Sequence, residues 1–437
     1  MTAVRRNTST VLLTALAVLL VLAATGRGDA PSELRRIAGP YAQDLVRWEL
    51  THALDKWVHL ASVVLLRRSI DEDDRRADVA EFFALGDDLR RVDAELERTL
   101  AVAGDGPLAP EAILAQADAL DARRAEIRAA VEETLEAAIS DVVDELGIIR
   151  RVGPVRWPPV DFTFERQALV LVRSPRDAIQ RLDDVLLEPG VSLLDQIGLE
   201  DGVEAMSDEI SAIVVRLGGL ATYPAQVIPT ASLHTTLALA SHEWLHHWLF
   251  FRPLGRQWAA GGELQSINET VANIAAEEIG DLALERLTGE AFEREPWSPR
   301  ERRAEPPAGE FDFDREMRVT RLRLDELLAD GRIEEAEAYL EERRLAFVAN
   351  GHQLRKLNTA WFAFHGTYAG SPAAASPIEA QLRAVRADAA GLGAFLDRTS
   401  AIAEVGELEA MARAAGWANA LPAGPRALSA RLEQETR

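Results

Sequence analysis

The run Ser241-His242-Glu243-Trp244-Leu245-His246-His247-Trp248 sets two histidines four residues apart around a glutamate. On a helix, positions i and i+4 lie about 40° apart around the axis, so both imidazoles reach one metal ion. The flanking residues predict that helix from about Ala231 to Phe251, stopped by Pro253 and Gly255. Leu233, Leu237, Trp244, Trp248 and Phe251 form one apolar stripe, and His242 and His246 fall nearly opposite it, beside Leu239 and Leu249. One side of the helix is therefore expected to be buried and the other to open onto a cleft. Glu243 is placed to work on a metal-bound water.

A third donor follows. Asn268-Glu269-Thr270-Val271-Ala272-Asn273 begins 22 residues after His246. It falls on a second predicted helix, about Glu263 to Leu287, with Gly289 as its stop. The chain has no cysteine, which excludes a disulfide framework and thiolate ligands and leaves nitrogen and oxygen donors. His242, His246 and Glu269 predict a mononuclear Zn2+ site whose fourth position is open to water, unlike a structural zinc closed by four protein ligands. In that arrangement zinc lowers the pKa of the water towards ~7. Glu243 takes its proton as the water attacks a carbonyl, then protonates the leaving amine. Asn273, one turn after Glu269, is placed to hold a histidine ring in orientation. His247 points away from the ion, and His234 is read as a core or supporting group.

The rest of the chain predicts an α+β fold, predominantly helical. Residues 41–67 read as a helix, on which His52, Asp55 and His59 share a face and make a candidate second metal site. Segments 72–102 and 110–146, separated by Gly104-Asp105-Gly106-Pro107, read as a long helical hairpin that projects as a solvated spacer. Val160–Phe164, Ala168–Val172 and Ser211–Val215 read as strands. Leu220–Val227 reads as an edge strand beside the metal helix, because Pro224 cannot donate to a ladder; such an edge can take up an extended peptide. Residues 290–312 read as a surface excursion. Helices are expected over 313–329, 333–349, His352–Phe364 and Pro377–Glu407. The predicted organisation is a leader at 1–30, a helical region at 31–150, a metal-binding core at 151–290 and a helical region at 291–437 that completes the cleft.

A net charge of −23 excludes a phosphate-binding surface, hence nucleic acid, and electrostatic attachment to anionic lipid. At the N-terminus, Arg5 and Arg6 precede an apolar run from Val11 to Ala24. This reads as a signal peptide or a transmembrane helix acting as an N-terminal anchor, and the positive-inside rule sends the remainder across the membrane. The expected location is extracytoplasmic, with membrane contact through this segment alone.

His242-Glu243-x-x-His246 with Asn268-Glu269-x-x-Ala272-Asn273 resembles the gluzincin metallopeptidases, and in particular bacterial predicted zinc aminopeptidases that are exported or membrane-anchored. The resemblance covers residues 210–290 well and 350–400 loosely. It implies a gluzincin-like core with a small mixed sheet, ligands at His242, His246 and Glu269, and a catalytic base at Glu243. Gluzincins often carry aspartate where this chain has Asn273, and a Gly-x-Met-Glu-Asn exopeptidase signature is missing. The family commonly uses a tyrosine or histidine beyond the third ligand to stabilise the oxyanion. Tyr368, in a glycine-flanked turn after Trp361, Phe362 and Phe364, is the candidate, with His365 second.

The expected function is a zinc metallopeptidase acting on peptide or protein substrates. Two rivals stand beside it: a non-catalytic scaffold on a peptidase-like core, and a zinc hydrolase of a non-peptide amide. Intact Glu243 favours an enzyme over a scaffold.

Overall fold

The structure, a computed structural model, describes residues 32–45, 47–48, 72–101, 110–152, 155–258, 261–298 and 310–418. It is mixed α/β and mostly helical, with small sheets. The predicted leader and most of the 41–67 segment, including His52, Asp55 and His59, lie outside the described residues. The expectation of a transmembrane helix is corrected: among the described residues no helix is long and apolar enough to cross a bilayer. The run at 11–24, itself outside the described residues, is also short for roughly 30 Å of hydrocarbon.

After a short helix α1 (Glu33–Ala38), helices α2 (Glu72–Ala101) and α3 (Pro110–Glu145) lie side by side. Arg123 joins Glu81 through two bonds of 2.7 and 2.9 Å, and Arg124 lies over the Phe82 ring. A solvated spacer describes only the outer part of this hairpin. On α3, Ile127, Val131, Leu135, Ile139 and Val142 recur at helical spacing, and all are buried in the main core.

The hairpin strands β1 (Arg150–Val152) and β2 (Val155–Trp157) lead to β3 (Phe162–Phe164). An antiparallel sheet of order β5-β4-β6 follows, built from β4 (Leu169–Pro175), β5 (Asp183–Leu187) and β6 (Ile210–Arg216), with α4 (Leu193–Glu204) between the last two. Strands β7 (Gly219–Leu220) and β8 (Ala225–Val227) join β3 in a second sheet of order β3-β8-β7. Here β8 runs parallel to β3 and antiparallel to β7. The edge strand is therefore β7. Pro224 precedes β8, the central strand, whose ladder begins only at Ala225.

Helices seal the other edges of these two sheets. On α3, Glu132 accepts the Phe164 N–H at 2.6 Å and Glu136 accepts the Phe162 N–H at 2.9 Å. On α4, Glu200 accepts the Val214 N–H at 2.7 Å and Glu204 the Ala212 N–H at 2.9 Å. The pairing works because four helical residues rise about 6 Å while two strand residues span about 6.6 Å. The chain at 41–43 covers β5, through Gln43 N–H to the Leu186 carbonyl and Glu188 N–H to that of Tyr41. Among the described residues, β7 is the one edge of the two three-stranded sheets without such a cover.

Helices α5 (Leu233–Phe250) and α7 (Gly262–Thr288) follow, close to their expected limits, and between them Pro253 and Gly255, read as a stop, form the single turn α6 (Pro253–Arg256). Gly289 takes the left-handed conformation that ends α7, at φ 77°. Residues 290–296 run exposed over the surface, and Trp297 then donates its indole N–H to Glu379 at 3.2 Å. Helices α8 (Phe313–Ala329) and α9 (Ile333–Ala349) break at Asp330-Gly331 as expected. Helix α10 (Thr359–His365) starts later than expected, because the Asn358 side chain caps it by accepting the Trp361 N–H. The predicted helix over 377–407 is three pieces: α11 (Ile378–Asp388), α12 (Leu392–Thr399) and α13 (Val405–Ala414). One core joins α2, α3, β3, β8, α5, α7 and α11–α13, and another packs β4 and β6 against α8–α10.

Candidate metal centre

Tryptophans fix the rotation of α5. The indole N–H of Trp244 donates to the Pro158 carbonyl at 3.2 Å, and that of Trp248 to the Ile148 carbonyl at 2.9 Å. Both rings are fully buried, so the opposite side, carrying His242 and His246, must face away from the core. Helix α7 returns antiparallel along α5. Gly280 abuts Ala238, where an added Cβ would come within 3.0 Å, and Asn268 meets His246 at the other end. This close approach lets Glu269 reach across.

The three donor atoms form a nearly equilateral triangle. His242 Nε2 and His246 Nε2 stand 3.0 Å apart, and Glu269 Oε2 lies 3.3 and 3.4 Å from them. Donors about 2.0–2.1 Å from a tetrahedral ion lie roughly 3.3 Å from one another. The residues present therefore fit a metal ion, and all three are buried or nearly so. Glu269 Oε2 is buried without a hydrogen-bond partner, an orphan that a cation would satisfy.

The electrostatics agree. Burial alone would raise the Glu269 carboxyl, but the two histidines 3.3 and 3.4 Å away outweigh it and hold it well below the usual range. Burial would lower His246, yet Glu269 prevails and raises it to about 9. A centre that draws a proton so strongly is one of negative potential, suited to a cation. Glu243 differs: burial dominates and raises its carboxyl, the direction a general base near neutral pH requires.

His246 is oriented by Asn268. The Asn268 Nδ2 donates to the Leu254 carbonyl at 3.5 Å, which turns its Oδ1 towards His246 Nδ1 at 3.0 Å. Nδ1 must then keep its proton, so Nε2 is the nitrogen whose lone pair would meet a cation in the triangle. The sequence reading gave this role to Asn273. The structure corrects it: Asn273 makes no hydrogen bond to either ring among the described residues, whereas Asn268, adjacent to Glu269, does. Glu269 Oε1 accepts from the indole N–H of Trp258 at 3.1 Å, a contact with no signal in the sequence.

His247 is no ligand: its Nε2 donates to the Thr222 carbonyl at 2.8 Å, pinning the β7–β8 connection to α5. His234 pairs with Asp281 at 2.6 Å. Gly219 of β7 lies directly against the Glu243 side chain. Tyr368 stands within the field of the site. Burial first, then the charges of Glu269 and Glu243, push its hydroxyl well above the ordinary value. His365 spends its Nδ1 proton on the Trp361 carbonyl and stacks on that indole.

No protein-family model, curated protein or solved structure matches the chain.

Proposed function

We propose that the chain is an exported zinc-dependent metallopeptidase. One observation carries this: three donors from neighbouring helices stand 3.0–3.4 Å apart, with Glu243 beside them and an uncovered strand edge against Glu243. Two imidazole nitrogens and a carboxylate at these separations favour zinc, which when bound supplies a Lewis acid that polarises a carbonyl and acidifies water.

The chain's own residues divide the remaining work. An extended peptide adds to β7 through main-chain hydrogen bonds and brings its carbonyls alongside Glu243. Glu243 takes a proton from the attacking water and passes it to the leaving amine, a task its raised carboxyl suits. Tyr368, kept protonated by burial, donates its hydroxyl proton towards the developing oxyanion. Arg5, Arg6 and the apolar run at 11–24 support export.

The test compares metal content and peptide hydrolysis of wild type and Glu243→Gln. Wild type carries about one zinc per chain, and the variant keeps the metal while losing roughly 10²–10⁴ in turnover. A wild type that binds zinc and cleaves nothing in a broad peptide library contradicts the peptidase, leaving a binding scaffold or a hydrolase of non-peptide amides.

A further inference from the structure

The chain between α5 and α7, residues 251–261, includes a feature the mechanism above does not use. Gly255 brings the α6 turn against the end of α5 so closely that an added Cβ would strike the Leu249 carbonyl. That packing presents two groups to α7. The Leu254 carbonyl holds the Asn268 amide, whose oxygen faces His246, and the Trp258 indole N–H holds Glu269 Oε1. His242 is different, since its buried Nδ1 has no hydrogen-bond partner.

We infer that the segment Pro253–Trp258 is a clasp that orients two of the three donors, with Trp258 as the positioning residue for Glu269. A carboxylate on a three-bond side chain can turn either oxygen, or both, towards an ion. The indole occupies Oε1 and leaves Oε2 alone facing the histidines. Trp258 is 43% exposed and belongs to none of the core clusters, and among the described residues its side-chain hydrogen bond goes to Glu269. The clasp therefore acts on metal affinity and geometry far more than on folding. Such supporting hydrogen bonds typically govern affinity by about 10–100-fold.

This inference rests on the metal-centre reading, and one experiment separates the two. Zinc affinity of the full chain is measured by competition with a chromophoric chelator for wild type, Trp258→Phe and Trp258→His, alongside the melting temperature of each metal-free protein. Trp258→Phe, which keeps the ring but loses the donor, is expected to bind zinc about 10–100-fold more weakly with an unchanged metal-free melting temperature. Trp258→His, which keeps a ring N–H, recovers part of the loss. Zinc also perturbs the tryptophan emission of wild type, and that change is smaller in Trp258→Phe. Equal zinc affinity for wild type and Trp258→Phe overturns the clasp alone. A drop in metal-free melting temperature that accounts for the whole loss of affinity overturns it too, as a structural effect. A wild type that binds no zinc overturns the clasp together with the metal centre.

Discussion

Gly219 and Glu243 are in contact: a Cβ built on Gly219 would lie 2.8 Å from both Cγ and Cδ of the glutamate. Strand β7 and the candidate general base are thus packed together, at a position where only hydrogen fits. Helix α5 is tied to the same strand connection through His247 and the Thr222 carbonyl.

Gly219→Ala tests that contact. The new methyl group displaces the Glu243 carboxylate, and a misplacement of about 1 Å costs on the order of 10²-fold in rate. Zinc content stays at the wild-type level, because Gly219 touches none of the three donors. Steady-state kinetics alongside metal analysis check this; full activity would mean that Glu243 works from another position.

Metal should stabilise the fold. At zinc 100-fold above its dissociation constant the gain is about 2.7 kcal/mol, read as a rise in melting temperature that a chelator reverses. Glu269→Ala loses that rise because one of three donors is gone. An equal zinc-dependent shift in Glu269→Ala would place the ion elsewhere.

The sheet edges make a prediction independent of any metal. Glu132→Ala strands the Phe164 N–H and the Thr163 hydroxyl away from water, at a cost of about 1–3 kcal/mol. Denaturant unfolding should show this loss, and zinc affinity should be unchanged. A neutral substitution would mean that water reaches β3 and that helix α3 does not seal it.

Much of this was legible in the sequence where a local rule governs. Caps, periodicity and breaks gave α5, α7 and the division of α8 from α9 at Asp330-Gly331. His242 and His246 came from helical spacing, and Glu269 from its interval on the following helix. Elements decided by tertiary contacts were less readable. Pro224 reads as an edge residue, yet the ladder of β8 begins one residue later and β7 takes the edge. The spacer reading of the hairpin holds only for its outer part, because the charged face of α3 hides an apolar seam that other elements cover. Asn273 matched the i+4 rule for reaching a ring across the helix pair. Asn268 holds the role instead because the Leu254 carbonyl, brought close by the Gly255 packing, turns its amide. Trp258 had no sequence signature, since its partner lies across a chain reversal.

The most direct measurement is an anomalous difference map at the zinc absorption edge from crystals grown with zinc. The account predicts one peak about 2.0–2.2 Å from His242 Nε2, His246 Nε2 and Glu269 Oε2. A map with no peak there, or with zinc bound only at other residues, would contradict it.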